Sequence, residues 1–287
     1  MSKKVVVITG PTSSGKSNLA YQLACRHSAV VLCADAMTIY KDLNVGTAKP
    51  SLSERFRIRH YGLDLRDLNE DFSVSDFRTL ALEVVENNEK VIIVGGTQYY
   101  ITALLKPHAK LPSADWKLRE DLSKHEDIYG WLSRCDAKTA ERLHPNDRVR
   151  IIRALEVFVL TGTPMSVLLE TTPTEPLIDA EVFFLDSEDL RIRIRARIGK
   201  MVAQGYLDEA EQICFSGVTG QEKPLKSFSY APMIKYFRGE LSLSETLWEI
   251  EKGTWHLARK QRTWGRKMGW EPVSKQNITS EVMKVFK

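Results

Sequence analysis

The 287-residue sequence predicts an α/β fold: a P-loop NTPase-like parallel sheet core with helices on both faces and an inserted all-helical domain. Three observations predict it. A short apolar run near the N-terminus leads straight into GPTSSGKS, residues 10–17, and then into an amphipathic stretch. Further apolar runs, AVVLC at 29–33 and KVIIV at 90–94, alternate with helix-periodic segments, as buried parallel strands do. From Asp115 to about Glu170 the strand signal gives way to charged, helix-periodic sequence, and EVFFL at 181–185 then restores it.

Taken in order, Lys4–Ile8 reads as the first buried strand. Ser17–Arg26 follows as a helix with Leu19, Ala20, Leu23 and Ala24 on one face. Ala29–Cys33 is a second strand ending at Ala34-Asp35. Ser75–Glu89 is a helix opened by Ser73 or Ser75 as its cap, and Lys90–Val94 is a third strand ending at Gly95-Gly96-Thr97. This alternation is doubly wound, and ligands of such sheets bind beyond the carboxyl ends of the strands. Gly10–Ser17, Asp35 and Thr97 all lie at such ends and are expected to converge. The helical insertion is punctuated by Pro112, Pro145 and Pro164, and TTPTEPLIDA reads as the return linker. The core is therefore 1–111 plus 178–287, and the insertion 112–177. Arg191–Gln212 reads as one basic helix, Leu243–Lys267 as another, and WEPVS as a last short strand before a final helix.

Composition is that of an ordinary globular chain: 43% hydrophobic, 27% charged, with a formal net charge of +4. That charge alone says little about an anionic partner. Cys25, Cys33, Cys135 and Cys214 form no C-x-x-C pair and no zinc-like spacing, which suits buried free thiols of a reducing compartment. The N-terminus enters a strand without a signal-peptide pattern, and no window is apolar for the length of a membrane span. A cytoplasmic protein is the expectation.

Gly10, Gly15, Lys16 and Ser17 meet the pattern G-x-x-x-x-G-K-[ST], with Pro11, Thr12, Ser13 and Ser14 between them. Backbone amides and the helix N-terminus of such a loop face an anion. Lys16 adds a point charge, and the Ser17 hydroxyl suits Mg²⁺. The plainer alternative is a glycine turn beside a surface lysine. A triphosphatase normally ends a later strand with an acidic residue for the metal, whereas KVIIV ends in Gly95-Gly96-Thr97. With no Asn-Lys-x-Asp signature either, motor and switch readings weaken and small-molecule kinases stay open. Asp35 suits metal binding, substrate positioning or proton abstraction, or else a plain turn; Thr97 suits a phosphate contact or a cap.

The blocks GPTSSGKS, CADAMTIYKDLNVGTAKP, FSVSDF, VGGTQYY, LPSADWKLRE, HPNDRVRIIRALEVF and TWHLARKQRTWGR follow one another along nearly the whole chain. Together they resemble the tRNA dimethylallyltransferases, or tRNA isopentenyltransferases. The resemblance implies transfer of a dimethylallyl group from dimethylallyl diphosphate to N6 of adenosine 37, beside the tRNA anticodon, with release of diphosphate. It implies that Gly10, Pro11, Thr12, Ser13, Ser14, Gly15, Lys16 and Ser17 hold the donor's pyrophosphate rather than ATP. Asp35 matches the family's general base. Thr97 matches the threonine that contacts the pyrophosphate and its bridging oxygen, and Arg197 matches a pyrophosphate-binding arginine. The implied catalytic set is Asp35, Thr97, Lys16 and Arg197, with Mg²⁺ as cofactor on Ser17. Developing charge on a pyrophosphate leaving group is what amides, lysine and a divalent ion stabilise. Arg193 and Arg197 share a helix face at i, i+4, and Arg191 and Arg195 share another.

The family's tRNA contacts map onto Asp35, Ala36, Met37, Thr38, Thr97, Arg119, Val149, Arg150, Arg153 and Tyr230. The anticodon stem-loop of tRNA is the implied partner, its adenosine turned out of the stack, with no membrane and a monomeric enzyme. Arg259, Lys260, Arg262, Arg266 and Lys267 interleave with Trp255, Trp264 and Trp270 on the last long helix, a composition suited to RNA; core packing is the preferred reading of the tryptophans themselves. The sequence departs from the family pattern at Ala36 and Thr38, where Ser-x-Gln is usual, at Ser229, at the single His60, and at Trp255, where an arginine is usual. The rival readings are an adenylate isopentenyltransferase acting on free AMP, ADP or ATP, a small-molecule P-loop kinase, and a non-enzymatic RNA-binding nucleotide sensor.

Overall fold

A computed structural model describes residues 3–106, 109, 111–171 and 175–287. The chain divides into two compact units, Met1–Leu105 with Ile178–Lys287, and Lys106–Leu177. The second unit begins at Lys106 rather than 112. Residues 107, 108 and 110 of KPHAKLPSAD and 172–174 of the return linker lie outside the described residues.

In the first unit the strands are β1 (Lys4–Thr9), β2 (Val30–Cys33), β3 (His60–Tyr61), β4 (Lys90–Gly95) and β5 (Glu181–Phe184). They form one parallel sheet in the order β3-β2-β4-β1-β5. Val6, Val7, Ile8, Ile92 and Ile93 are wholly buried, so the central strands are apolar on both faces. Helices α1 (Lys16–His27), α2 (Leu52–Arg57), α3 (Val74–Asn87) and α4 (Gln98–Leu105) alternate with these strands. The cap of α3 is Ser73, in a capping box with Asp76. Phe77 of α3 stacks on Tyr100 of α4 at 4.6 Å.

The second unit is all helical: α5 (Trp116–Ser123), α6 (Ile128–Cys135), α7 (Ala137–Ala140), α8 (Arg148–Thr161) and α9 (Met165–Glu170). Leu122, Leu132, Ile151, Ala154 and Leu155 form its core. Within that unit Glu156 is fully buried, pairs bidentately with Arg119 at 2.8 Å, and also binds Arg153 and the Asp115 amide. Burial pushes the Glu156 carboxyl up, but the two arginines outweigh it and hold it below the usual carboxylate range.

After β5 the first unit continues with α10 (Leu190–Ala203), α11 (Tyr206–Phe215), α12 (Tyr230–Phe237), α13 (Leu243–Lys267) and α14 (Lys275–Val285). On one sheet face, Leu19, Leu23 and Ala24 of α1 share a core with Ile278 and Val282 of α14 and Phe286. Three expectations need correction. Arg191–Gln212 is not one helix, because Gly205 at φ +91° breaks it into α10 and α11. WEPVS supplies one isolated bridge, Phe184 to Pro272, rather than a strand. The tryptophans expected in the core are not buried: Trp264 is 37% exposed, Trp255 and Trp270 are only partly buried, and Trp270 lies past the end of α13. Among the described residues all four cysteines are free thiols, and only Cys33 is buried. No helix among them is long and apolar enough to cross a membrane.

Candidate active site

The carboxyl ends of β1, β4 and β2 lie side by side in the sheet, and the segments leaving them meet. From β1 comes the 10–17 loop, which turns into α1 at Gly15, φ +94°, a conformation only glycine adopts without strain. Pro11, Thr12, Ser14 and Lys16 are buried there, and Ser17 is exposed on the first turn of α1. The Ser13 and Ser14 hydroxyls are buried without a hydrogen-bond partner among the described residues. Orphaned donors in a loop of this kind fit an anion with several acceptor oxygens.

The loop is ringed by cations. Lys16 Nζ donates to the Pro11 carbonyl at 3.1 Å. Burial, and then the charge of Arg197, lower its pKa to about 8, while Asp35 acts in the opposite sense. Arg197 donates to Thr12 Oγ1 at 2.9 Å and to the Thr47 carbonyl at 3.1 Å, so it ties the loop to VGTAKP. Burial lowers its pKa too, again opposed by Asp35. A Cβ added at Gly15 would lie 3.2 Å from Lys275 Nζ and 3.8 Å from an Arg193 nitrogen.

From β2 comes Asp35, half-buried. Its Oδ1 accepts the Met37 amide at 2.8 Å, and Oδ2 makes no hydrogen bond among the described residues. From β4 comes Thr97, whose amide donates to the Ala34 carbonyl at 3.1 Å and whose hydroxyl oxygen accepts the Ala36 amide at 3.0 Å. The ends of β2 and β4 are thus pinned together on either side of Asp35. The hydroxyl proton of Thr97 remains available to a ligand.

The residues expected to contact tRNA differ in exposure. Ala36 and Met37 are half-buried beside Asp35. Thr38 and Tyr230, also expected at tRNA, have buried side chains. Thr38 is 7% exposed, with its hydroxyl on the Asp35 and Gly62 carbonyls. Tyr230 is 1% exposed and donates to Glu209 at 2.6 Å. In the helical unit Val149 is 79% exposed and the Arg150 side chain 71%, whereas Arg119 and Arg153 are committed to Glu156.

Two residues that organise the site are not evident from the sequence. Glu209 of α11 accepts the amides of Asn44, Val45 and Gly46 at 2.7–2.9 Å, besides Tyr230, and so holds the VGTAKP loop. Gln261 of α13 is 5% exposed; its Oε1 accepts the Thr12 amide at 2.7 Å and its Nε2 donates to the Gly96 carbonyl at 2.8 Å. Its own carbonyl accepts Gln98 Nε2 at 2.9 Å. A Cβ on Gly96 would lie 2.4 Å from Gln261 Nε2, so a larger residue there would displace the Gln261 amide from its partners. The one available signal for Gln261 is a neutral residue facing inward amid the basic run ARKQR. Replacing Gln261 with Ala would orphan a buried amide and a carbonyl, each worth about 1–3 kcal/mol. The expected result is diphosphate affinity weakened about tenfold or more, checked by calorimetric titration of variant and wild type with inorganic diphosphate.

The comparisons with known proteins follow this geometry. The IPP transferase family model matches residues 38–268. The chain belongs to the IPP transferase family. It is 38% identical over 270 residues to tRNA dimethylallyltransferase 1 of Citrifermentans bemidjiense, covering 91% of this chain and 88% of that protein. It is 36% identical to tRNA dimethylallyltransferase 1 of Trichlorobacter lovleyi, covering 97% of each. Among solved structures it resembles a eukaryotic dimethylallyltransferase acting on tRNA, with TM-score 0.81 and 27% identity over 92% of this chain and 70% of that one. The tRNA isopentenylpyrophosphate transferase of Staphylococcus epidermidis matches with TM-score 0.69 and 25% identity, over 99% and 98%. The family's parallel sheet with helices on both faces is therefore the fold of this chain.

Proposed function

We propose that this family member is a tRNA dimethylallyltransferase that prenylates N6 of adenosine 37, with dimethylallyl diphosphate as donor. The observation that carries the reading is the anion site itself: one loop carries two orphaned serine hydroxyls and a desolvated Lys16, with Arg197 bonded to its Thr12 and Asp35 within electrostatic reach of both cations. Mutually repelling cations with lowered pKa values favour a ligand of high negative charge. Diphosphate has that charge, and as a leaving group it gains more as the allylic C–O bond breaks. Lys16, Arg197 and the loop amides stabilise that developing charge, and the Thr97 hydroxyl donates to a diphosphate oxygen.

The adenine amine is a weak nucleophile because its lone pair is delocalised into the ring. Asp35, anchored through Oδ1, offers Oδ2 to take the N6 proton as the new N–C bond forms. The exposed Ser17 hydroxyl on the first turn of α1 would be the protein ligand of a Mg²⁺ ion that binds together with the diphosphate. When bound, such an ion neutralises leaving-group charge. For the RNA, exposed Val149 and Arg150 of the helical unit and the basic face of α13 supply contacts. The exposed basic residues of α13, on the same unit as the donor loop, favour tRNA over free adenylate as acceptor.

The test offers labelled dimethylallyl diphosphate and Mg²⁺ to the protein with unmodified tRNA and AMP side by side. Label in tRNA alone supports the proposal. Label in AMP would make the protein an adenylate isopentenyltransferase, and no transfer with ATP turnover would make it a kinase.

A further inference from the structure

One feature of α13 is unused by that chemistry. Trp248 and Trp255 lie seven residues apart, hence on one face and about 10 Å apart along the axis. Between them and α10 is a cavity of about 370 Å³ lined by Arg191, Ile194, Trp248, Lys252, Trp255 and His256. Lys252 Nζ sits 4.5 Å from the Trp248 ring centre, and the Arg191 guanidinium 5.1 Å from that of Trp255. The acidic lining residue, Glu251, is neutralised by a bidentate pair with Arg195 at 3.0–3.1 Å. The cavity is therefore aromatic and net positive. Trp248 is 58% exposed, an arrangement that core packing does not account for.

The same two helices build the donor site. Arg193 and Arg197 of α10 and Gln261 of α13 reach the 10–17 loop, while Arg191 and the indoles face the cavity. From Gln261, Trp255 is about 9 Å and Trp248 about 20 Å along the α13 axis, within reach of nucleotides flanking one held at Asp35. We propose that this cavity is a second nucleotide subsite, which stacks an unpaired base of the RNA substrate other than the reactive adenosine. The indoles supply π-faces that any base can use, and Lys252 and Arg191 meet its phosphate. Glu249 lies 3.5 Å from Lys252, so Arg191 is the cation of the lining without a carboxylate partner among the described residues, and an apolar peptide would leave it so. The inference rests on the proposed tRNA acceptor.

The experiment compares wild type with Trp248→Ala/Trp255→Ala and with Trp248→Phe/Trp255→Phe. Binding of an unmodified tRNA transcript and of its anticodon stem-loop is followed by fluorescence anisotropy, and transfer by steady-state kinetics. The alanine pair is expected to weaken RNA binding and raise tRNA KM about tenfold or more, the size of one lost stacking contact. Donor KM, kcat at saturating tRNA and the melting temperature hold, and the phenylalanine pair recovers most of the affinity. RNA affinity within twofold of wild type overturns the subsite, as does an equal rise in donor KM. A concentration-dependent dimer that the alanine pair dissociates, with RNA affinity unchanged, overturns it in favour of a second copy. If wild type prenylates no tRNA, the function reading fails, and the binding measurement still decides the subsite.

Discussion

At pH 7, replacing Asp35 with asparagine is expected to lower kcat by about 10²–10⁴-fold while leaving donor KM near the wild-type value. The reasoning is geometric. Asparagine keeps an oxygen where Asp35 Oδ1 accepts the Met37 amide, so the turn after β2 survives. What is lost is the second oxygen's ability to take a proton. The donor is held by the 10–17 loop, Lys16 and Arg197, none of which depends on Asp35 for a hydrogen bond. A loss confined to kcat separates base catalysis from substrate binding, and single-turnover rates with pre-bound tRNA and donor measure it. If the variant keeps wild-type turnover, the proton leaves N6 by another route. If kcat holds and donor KM at pH 7 rises instead, Asp35 shapes the diphosphate site and is not the base.

The main strands, the loop and the long α13 helix were legible in the sequence because each carries a strong local signal. Runs such as VIIV at the sheet centre are buried on both faces, so every residue is apolar. The spacing of Gly10, Gly15, Lys16 and Ser17 follows from phosphate geometry. The failures have physical causes as well. β3 has two residues, His60 and Tyr61, too few for any periodicity, and is held by its neighbour β2. The break at Gly205 is invisible in the pattern, since one glycine within a basic amphipathic stretch does not announce a left-handed turn. The tryptophans of α13 were assigned to the core by residue type, whereas the buried stripe of that helix is Thr246, Ile250, Thr254, Ala258, Gln261 and Gly265. Small residues let α13 approach the sheet, as at Gly265, where an added Cβ would lie 2.5 Å from the Phe184 ring. Close approach displaces large rings outward. Gln261 and Glu209 escaped because their partners are backbone amides far away in sequence, which no local pattern encodes.

Donor binding is expected to weaken as pH rises above about 8, and replacing Lys16 with alanine to abolish that dependence while lowering kcat/KM for the donor by about 10²–10³-fold. In the free enzyme, burial and the nearby Arg197 lower the Lys16 pKa from 10.5 to about 8. Below that value the ammonium is present and diphosphate meets a full charge. Above it the lysine is neutral, and binding must first restore its proton, a penalty of up to about tenfold in affinity per pH unit until the ordinary lysine range is reached. Stability changes in the opposite sense. Between about 8 and 10.5 the unfolded chain holds a proton that the folded, donor-free enzyme lacks, so Lys16 makes the free enzyme more stable as pH rises through that window. Saturating diphosphate, by returning the proton to Lys16, should flatten that rise. Asp35 works against the lowering, so Asp35→Asn should move the onset of weakened donor binding to lower pH. Donor KM measured from pH 7 to 9.5 on wild type and both variants tests all three statements. A wild-type KM that is flat across the range would mean that the charge of Lys16 does not hold the donor.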